Sequence, residues 1–279
     1  MIRLKRSRRA EDIHPDFTGE KLVAKALALA EARITMGDEI EFEKALGDWK
    51  KTKDQLKLDS HGKCAYCEAN TAVVAHGDVE HFRPKSVYWW LALCLDNYVY
   101  SCQICNQTYK SDEFPVAGTM LAAPKLPKRL PKTVAARLRL AKRISPDPFG
   151  LDEAKLLAQW LAEDPDLPHP YLEDPEPLFG WCAIETTAEV LLVEPPQASP
   201  RSQRAVRAAI DYLGLNREVL VRLRYTVYRQ LKFALLAWKT GDENLKVDGA
   251  AQVESMCAPP EMFAGMCRHF ARRAGFPLL

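Results

Sequence analysis

The chain has 279 residues, 47% of them apolar and 27% charged, with a formal net charge of +2 at pH 7. This composition excludes a chain disordered throughout and leaves room for one or two globular units with a sizeable core. So small a net charge does not demand an acidic partner, and any affinity for polyanions has to come from local patches. No run approaches the ~18 apolar residues of a membrane span, and the opening MIRLKRSRRA has no apolar region behind its basic residues. A cytoplasmic protein without a membrane anchor is expected.

Residues 1–58 read as an N-terminal helical region. A basic, turn-rich arm over 1–19 leads to an Ala- and Leu-rich helix over 20–36, with Thr18 as N-cap and Gly37 as terminator. A charged helix is expected over 39–58, with Phe42, Leu46, Trp49 and Leu56 facing inward. Trp49 is either core or a stacking platform.

Residues 59–115 carry the chemistry-bearing motifs. Cys64-x-x-Cys67 and Cys102-x-x-Cys105 are two pairs at metal spacing, and four thiolates satisfy tetrahedral zinc. The excursion between the pairs is longer than a usual zinc-ribbon insert, so a structural Zn²⁺ would clamp its two ends. Cys94, Cys182, Cys257 and Cys267 are expected to be buried free thiols.

Inside the excursion stands Asp78-Val79-Glu80-His81-Phe82-Arg83-Pro84-Lys85-Ser86. Phosphodiester hydrolysis needs a base to deprotonate water and a divalent cation to polarise the phosphoryl group. His81 and Glu80 offer both. Strand alternation would send them to opposite faces, unless a turn at Pro84 brings both to one cleft. Asp78 reads as a neighbour of the metal ligands or as a turn residue, and His61 and His76 as surface residues or caps. Arg83 and Lys85 look exposed, for phosphate or for solvent. Tyr88, Trp89 and Trp90 read first as packing and second as base-stacking residues.

Residues 116–200 form a basic and Pro-rich connector. No acidic residue occurs from 116 to 146, while Lys125, Lys128, Arg129, Lys132, Arg137, Arg139, Lys142 and Arg143 supply positive charge. Such a run is a solvated face or a nucleic-acid contact. Short helices are expected over 133–143 and 151–163. The following Pro- and Asp-rich segment cannot be a regular element, and 181–193 is β-branched enough for a strand or hairpin.

Residues 201–279 read as a C-terminal helical region. Ser199-Pro200 opens a helix running to about 213. Asn216 can cap the next, which runs to about 239 with Leu220, Leu223, Val227, Leu231 and Leu235 as its apolar stripe. A last helix is expected over 260–274. A second basic run includes Arg201, Arg204, Arg207, Arg217, Arg222, Arg224, Arg229 and Lys232. The fold class read from these elements is α+β, a small core flanked by N- and C-terminal α-helices.

The order CxxC, DVEHFRPKS, DNYVYSCxxCN and a nearby lysine resembles the HNH endonuclease superfamily, whose core is a ββα-metal fold. The resemblance implies that His81 is the general base and that Glu80 and Asn106 hold a catalytic Mg²⁺ or Mn²⁺. It further implies that Asn97 holds the loop orienting His81 and that Lys110 neutralises the phosphate. The chain departs from the commonest pattern at Glu80, where Asp is usual, and at Asn106, where many members have His. Both remain oxygen donors suited to hard cations. With Trp49 leading into KCAYCE, then VEHFRPKS, YWWLALCLDNYVYSCxxCN, the DPEPLF segment and a late RAVRAAIDYLGLNREVLVRLR, the chain over most of its length also resembles the PtuB-type HNH nuclease subunits of Septu and retron-associated anti-phage systems. That resemblance implies DNA as substrate and an ABC/SMC-like, PtuA-like ATPase as partner. A non-catalytic zinc-ribbon nucleic-acid-binding module and a stand-alone HNH restriction endonuclease are the competing readings.

Overall fold

The computed structural model describes residues 1–42, 49–71, 77–150 and 152–278; Leu46, His76 and Leu151 lie outside the described residues. The site is organised by a two-stranded antiparallel sheet of β1 (Asp78–His81) and β2 (Tyr98–Ser101), in which Glu80 faces Val99 and His81 faces Tyr98. Alternation gives this sheet two different faces. Val99 joins a core that includes the cysteine pairs and the C-terminal helices. Val79, Tyr98 and Tyr100 join a second core with the N-terminal helix and the Tyr88–Leu95 loop. The sheet is therefore the wall between two apolar clusters. Gly77 permits its tight entry, because a Cβ there would lie 2.3 Å from the Tyr100 ring.

The N-terminal residues are not a free arm. Met1, Ile2 and Leu4 are buried, the Met1 amino group pairs with Glu68 at 2.5 Å, and Arg6 donates to the Tyr98 carbonyl at 2.6 Å. The apolar residues between the basic ones are what the core takes. Helix α1 spans Gly19–Met36, close to expectation, but Thr18 makes no side-chain cap bond. The Gly19 amide instead donates to Asp147 at 2.9 Å, a cap supplied from across the fold.

The single helix expected over 39–58 is corrected. Residues 39–41 are not helical, and a 3₁₀ turn at Trp49–Thr52 precedes the short α2 (Lys53–Asp59). Trp49 and Leu56 face inward as expected, and Phe42 is half-buried.

Helices α3 (Val134–Ile144) and α4 (Glu153–Leu161) are capped by the Thr133 and Asp152 side chains. The apolar segment beyond them is an antiparallel hairpin, β3 (Gly180–Ile184) with β4 (Glu189–Val193). Ser199 caps α5 (Pro200–Asp211) as its position ahead of Pro200 predicts. Asn216 does not cap α6 (Glu218–Trp238). Its amide pairs with both backbone groups of Leu192, extending β4 in place of a neighbouring strand. The buried stripe of α6 includes Leu220, Leu231 and Leu235 but takes Arg224 rather than Leu223, which is exposed.

Helix α7 (Glu243–Cys257) has no counterpart in the sequence reading. Its exposed Leu245 and Val247 blur the apolar period, and it is held by close approach to α6: a Cβ on Gly249 would lie 2.4 Å from the Trp238 nitrogen. The last helix, α8, is shorter than expected, Ala264–Arg273. Among the leftover cysteines Cys94, Cys257 and Cys267 are buried, whereas Cys182 is exposed. It sits on the outer face of β3. No described helix is long and apolar enough to cross a membrane.

Candidate active site

The four paired cysteines converge. Their sulfurs all lie within 4.8 Å of one another, with Cys67 and Cys102 at 4.0 Å. Tetrahedral zinc with Zn–S near 2.3 Å requires sulfurs about 3.8 Å apart, so the cluster fits Zn²⁺ after a small contraction. Four thiolates around Zn²⁺ carry net negative charge, and two arginines face it. Arg217 Nη1 lies 3.5 Å from Cys105 Sγ, and the thiolates raise its pKa against burial. Arg224 is fully buried, with Nε and Nη2 lacking hydrogen-bond partners; burial lowers its pKa to about 10, and the nearby Cys67 charge opposes this. The sequence reading missed both, because they come from a helix more than a hundred residues away.

From Cys64 to Lys110 the chain gives strand, strand and a helical turn. Cys102–Cys105 ends β2 and opens a π-helical segment, Ile104–Lys110, a widened turn often found at functional sites. It carries Asn106 and Lys110 alongside β1.

His81 lies at the end of β1 and is buried. Its ring packs edge-on against Tyr98 and Trp49 at 4.9 and 5.5 Å. Nε2 is 3.1 Å from the Ala92 carbonyl. A carbonyl only accepts, so Nε2 carries the proton and Nδ1 keeps its lone pair. Burial, with help from the Lys85 charge, pushes the His81 pKa down to about 3, so the imidazole is neutral at ordinary pH.

Asn97 fixes the loop that supplies that carbonyl. Its Oδ1 accepts from the Arg83 amide at 2.8 Å, and its Nδ2 donates to the carbonyls of Arg83 and Leu91 at 2.9 and 3.3 Å. Asn97 is fully buried and acts on His81 only through the loop.

Glu80 is 5% exposed, and its Oε1 has no aligned hydrogen bond although Lys110 Nζ lies 2.6 Å away as an ion-pair partner. Burial raises the Glu80 pKa, and Lys110 opposes this. Lys110, implied to meet the phosphate, is fully buried, with Nζ on Glu80 and 3.2 Å from the His81 carbonyl. The cations on the open cleft are Lys50, Lys53 and Lys85.

Asn106 and Gln107 both aim their amide nitrogens at Asp78 Oδ2, at 3.4 and 2.8 Å. Asp78, Glu80, His81 and Asn106 line one cleft of about 530 Å³, walled by Trp49. Glu80 and His81 reach it together because β1 is paired on one side only. From its open edge, side chains of both faces are accessible. The donor set is carboxylates and an amide oxygen, with Glu80 already paired with Lys110. This chemistry fits a hard cation such as Mg²⁺ or Mn²⁺.

One flanking expectation changes. Arg83 is fully buried, with its guanidinium 2.6 Å from Glu163 and 4.1 Å over the Trp160 ring. It contacts neither phosphate nor solvent. Glu163 also accepts from Tyr88 Oη at 2.8 Å and from the Leu121 amide at 2.7 Å, so one buried carboxylate ties the loop after His81 to the connector. No local signal singled out Glu163. Lys85 stays half-exposed over Trp49, whereas Tyr88, Trp89 and Trp90 are buried as packing residues. His61 is an exposed residue just past the end of α2.

In a search of curated proteins, the chain is similar to Septu protein PtuB of Bacillus mycoides (strain KBAB4), 38% identical over 77 residues. The match covers 23% of this chain and 26% of the relative, so the chain spans about a quarter of the length of the curated relative it matches. No family model matches the chain, and no solved structure matches it.

Proposed function

We propose that the chain is a metal-dependent DNA endonuclease of the HNH ββα-metal kind, the effector of a bacterial anti-phage defence pair, held and regulated by an ABC/SMC-like, PtuA-like ATPase in the cytoplasm. One observation carries the chemistry. A buried carboxylate, Glu80, paired with Lys110, shares a cleft with an imidazole whose inner nitrogen is pinned by the Ala92 carbonyl. A purely structural histidine would have no need of that neighbour.

His81 takes a proton from water at Nδ1, while Nε2–H remains on Ala92 and prevents the ring from turning. Burial keeps the ring neutral before substrate arrives, and an anionic phosphodiester in the cleft favours the imidazolium that forms. Glu80 and Asn106, with Asp78 beside them, would hold Mg²⁺ or Mn²⁺. When bound, the cation supplies polarisation of the phosphoryl group and stabilisation of the leaving 3′ oxygen. Burial raises the Glu80 pKa, and the Lys110 charge beside it works in favour of the carboxylate. Lys85 and Lys53 face the entering phosphate from the cleft wall. The similarity to Septu protein PtuB supports the defence assignment.

The test is cleavage of plasmid and linear DNA by the wild type and His81→Ala in Mg²⁺, Mn²⁺ or EDTA, with and without the ATPase. Metal-dependent cutting that drops at least a hundredfold in His81→Ala is expected. Cutting that persists at the wild-type rate in His81→Ala removes the base assignment.

A further inference from the structure

The two basic runs of the chain meet opposite fates in the fold. In the C-terminal run, Arg201 and Arg204 pair with Asp164, Asp166 and Glu173. Lys232 pairs with Glu185, and Arg224 is buried over Trp181. Most of that run's charge is engaged inside the molecule.

Between 125 and 143 the opposite holds. All eight lysines and arginines there are exposed, and none enters an ion pair with a described residue. The nearest acidic residues in sequence lie outside 116–146. Four of the cations sit on an irregular segment stiffened by Pro124, Pro127 and Pro131, whose fixed φ keeps the backbone from collapsing. The other four, Arg137, Arg139, Lys142 and Arg143, are on α3, whose 11 residues give about 16 Å of axis. None of the eight lines the His81 cleft.

We infer that this strip is a docking surface for the phosphate backbone of duplex DNA, separate from the cleft. A strip of unpaired cations this long is repelled by itself, and a regular polymer of phosphates relieves that repulsion with release of counterions. A lipid surface fits less well. The apolar side of α3, Leu140, Ala141 and Ile144, is already buried, leaving only Val134 and Leu138 scattered among the charges, and interfacial helices need a contiguous apolar face. The strip would hold DNA without regard to sequence and leave its cutting to the cleft. The choice of DNA rests on the nuclease reading above.

The test uses the full chain with zinc, carrying His81→Ala so that DNA is not consumed. Binding of a labelled 30-base-pair duplex is measured against salt with and without Arg137→Gln, Arg139→Gln, Lys142→Gln and Arg143→Gln together. Arg139, Lys142 and Arg143 share one side of α3 while Arg137 stands on the side of buried Ala141, so loss of three phosphate contacts lowers the slope of log K against log salt by about 2.7, and affinity near 0.1 M salt falls tenfold or more. Replacing Lys125, Lys128, Arg129 and Lys132 by Gln should do the same, which keeps the test alive if the helix variant folds poorly. An unchanged slope in both variants overturns the inference. So does loss of binding to phosphatidylserine vesicles or to polyglutamate while the DNA slope stays as it was. In the active background the strip variants should cut at the wild-type rate at saturating DNA with a raised KM. The slope result and the effect of His81→Ala on cutting are independent readouts, so failure of the base assignment and failure of the strip are distinguishable.

Discussion

Glu163 is a buried carboxylate whose removal strands several partners at once. Its carboxylate is fully buried and accepts from Arg83 Nε at 2.7 Å, Tyr88 Oη at 2.8 Å and the Leu121 amide at 2.7 Å. Glu163→Ala strands a buried guanidinium without its counter-ion, a loss of about 3–5 kcal/mol for one-sided removal of a buried pair. The orphaned hydroxyl and amide cost about 1–3 kcal/mol each, less than additively. Against a total stability of about 5–15 kcal/mol, this approaches or reaches unfolding. Exchanging the pair for apolar side chains, Arg83→Met with Glu163→Leu, removes both charges and should recover most of the loss. Urea midpoints of the two single variants and the double variant, in zinc-containing buffer, give the coupling. The same loop carries the Ala92 carbonyl to His81, so kcat of the double variant reports whether packing alone can place the ring. A Glu163→Ala cost below about 1 kcal/mol, or a double variant no more stable than the single ones, would refute the reasoning.

Further outcomes follow from the four-cysteine cluster and from a second buried histidine. Cys64→Ser or Cys105→Ser should lose zinc and fold poorly, because structural zinc contributes roughly 10 kcal/mol or more to small metal-held units; zinc at one equivalent in such a variant, read by atomic absorption, contradicts the cluster. His169 is buried, with Nε2 3.0 Å from the Asp96 carbonyl and Nδ1 accepting from the Tyr171 amide, and burial holds its pKa well below the usual value. Its contribution is fully present above the unfolded pKa of about 6.5 and is lost as pH falls toward the folded value, at up to about 1.4 kcal/mol per pH unit. Between about pH 7.5 and about pH 5 the urea midpoint should therefore fall more steeply in the wild type than in His169→Gln. Parallel curves exclude His169 as a source of acid sensitivity.

Much of the candidate site was legible because its signals are short. Two CxxC pairs declare a metal cluster within a few residues each, and Asp78-Val79-Glu80-His81 places a carboxylate beside an imidazole. Helix limits set by Ser199-Pro200, Thr133 and Gly37 were legible for the same reason, since capping acts within one turn. Helix α7 was not, because what holds it is the approach of Gly249 to a neighbouring helix.

By itself, then, the sequence determined that two cysteine pairs at metal spacing flank a carboxylate next to an imidazole, where most helices start and stop, and that two basic runs exist. Tertiary structure alone decided which charges are used up. Arg83 and Lys85 are two residues apart, yet one is buried on Glu163 and the other stands over Trp49 at the cleft. Lys110 lies on Glu80, and Arg201 lies on Glu173, while Arg137 to Arg143 pair with no described residue. Caps and periods act between residues near in sequence, whereas a charge is neutralised by whatever is near in space, and that is set only when the two cores close on either side of β1 and β2.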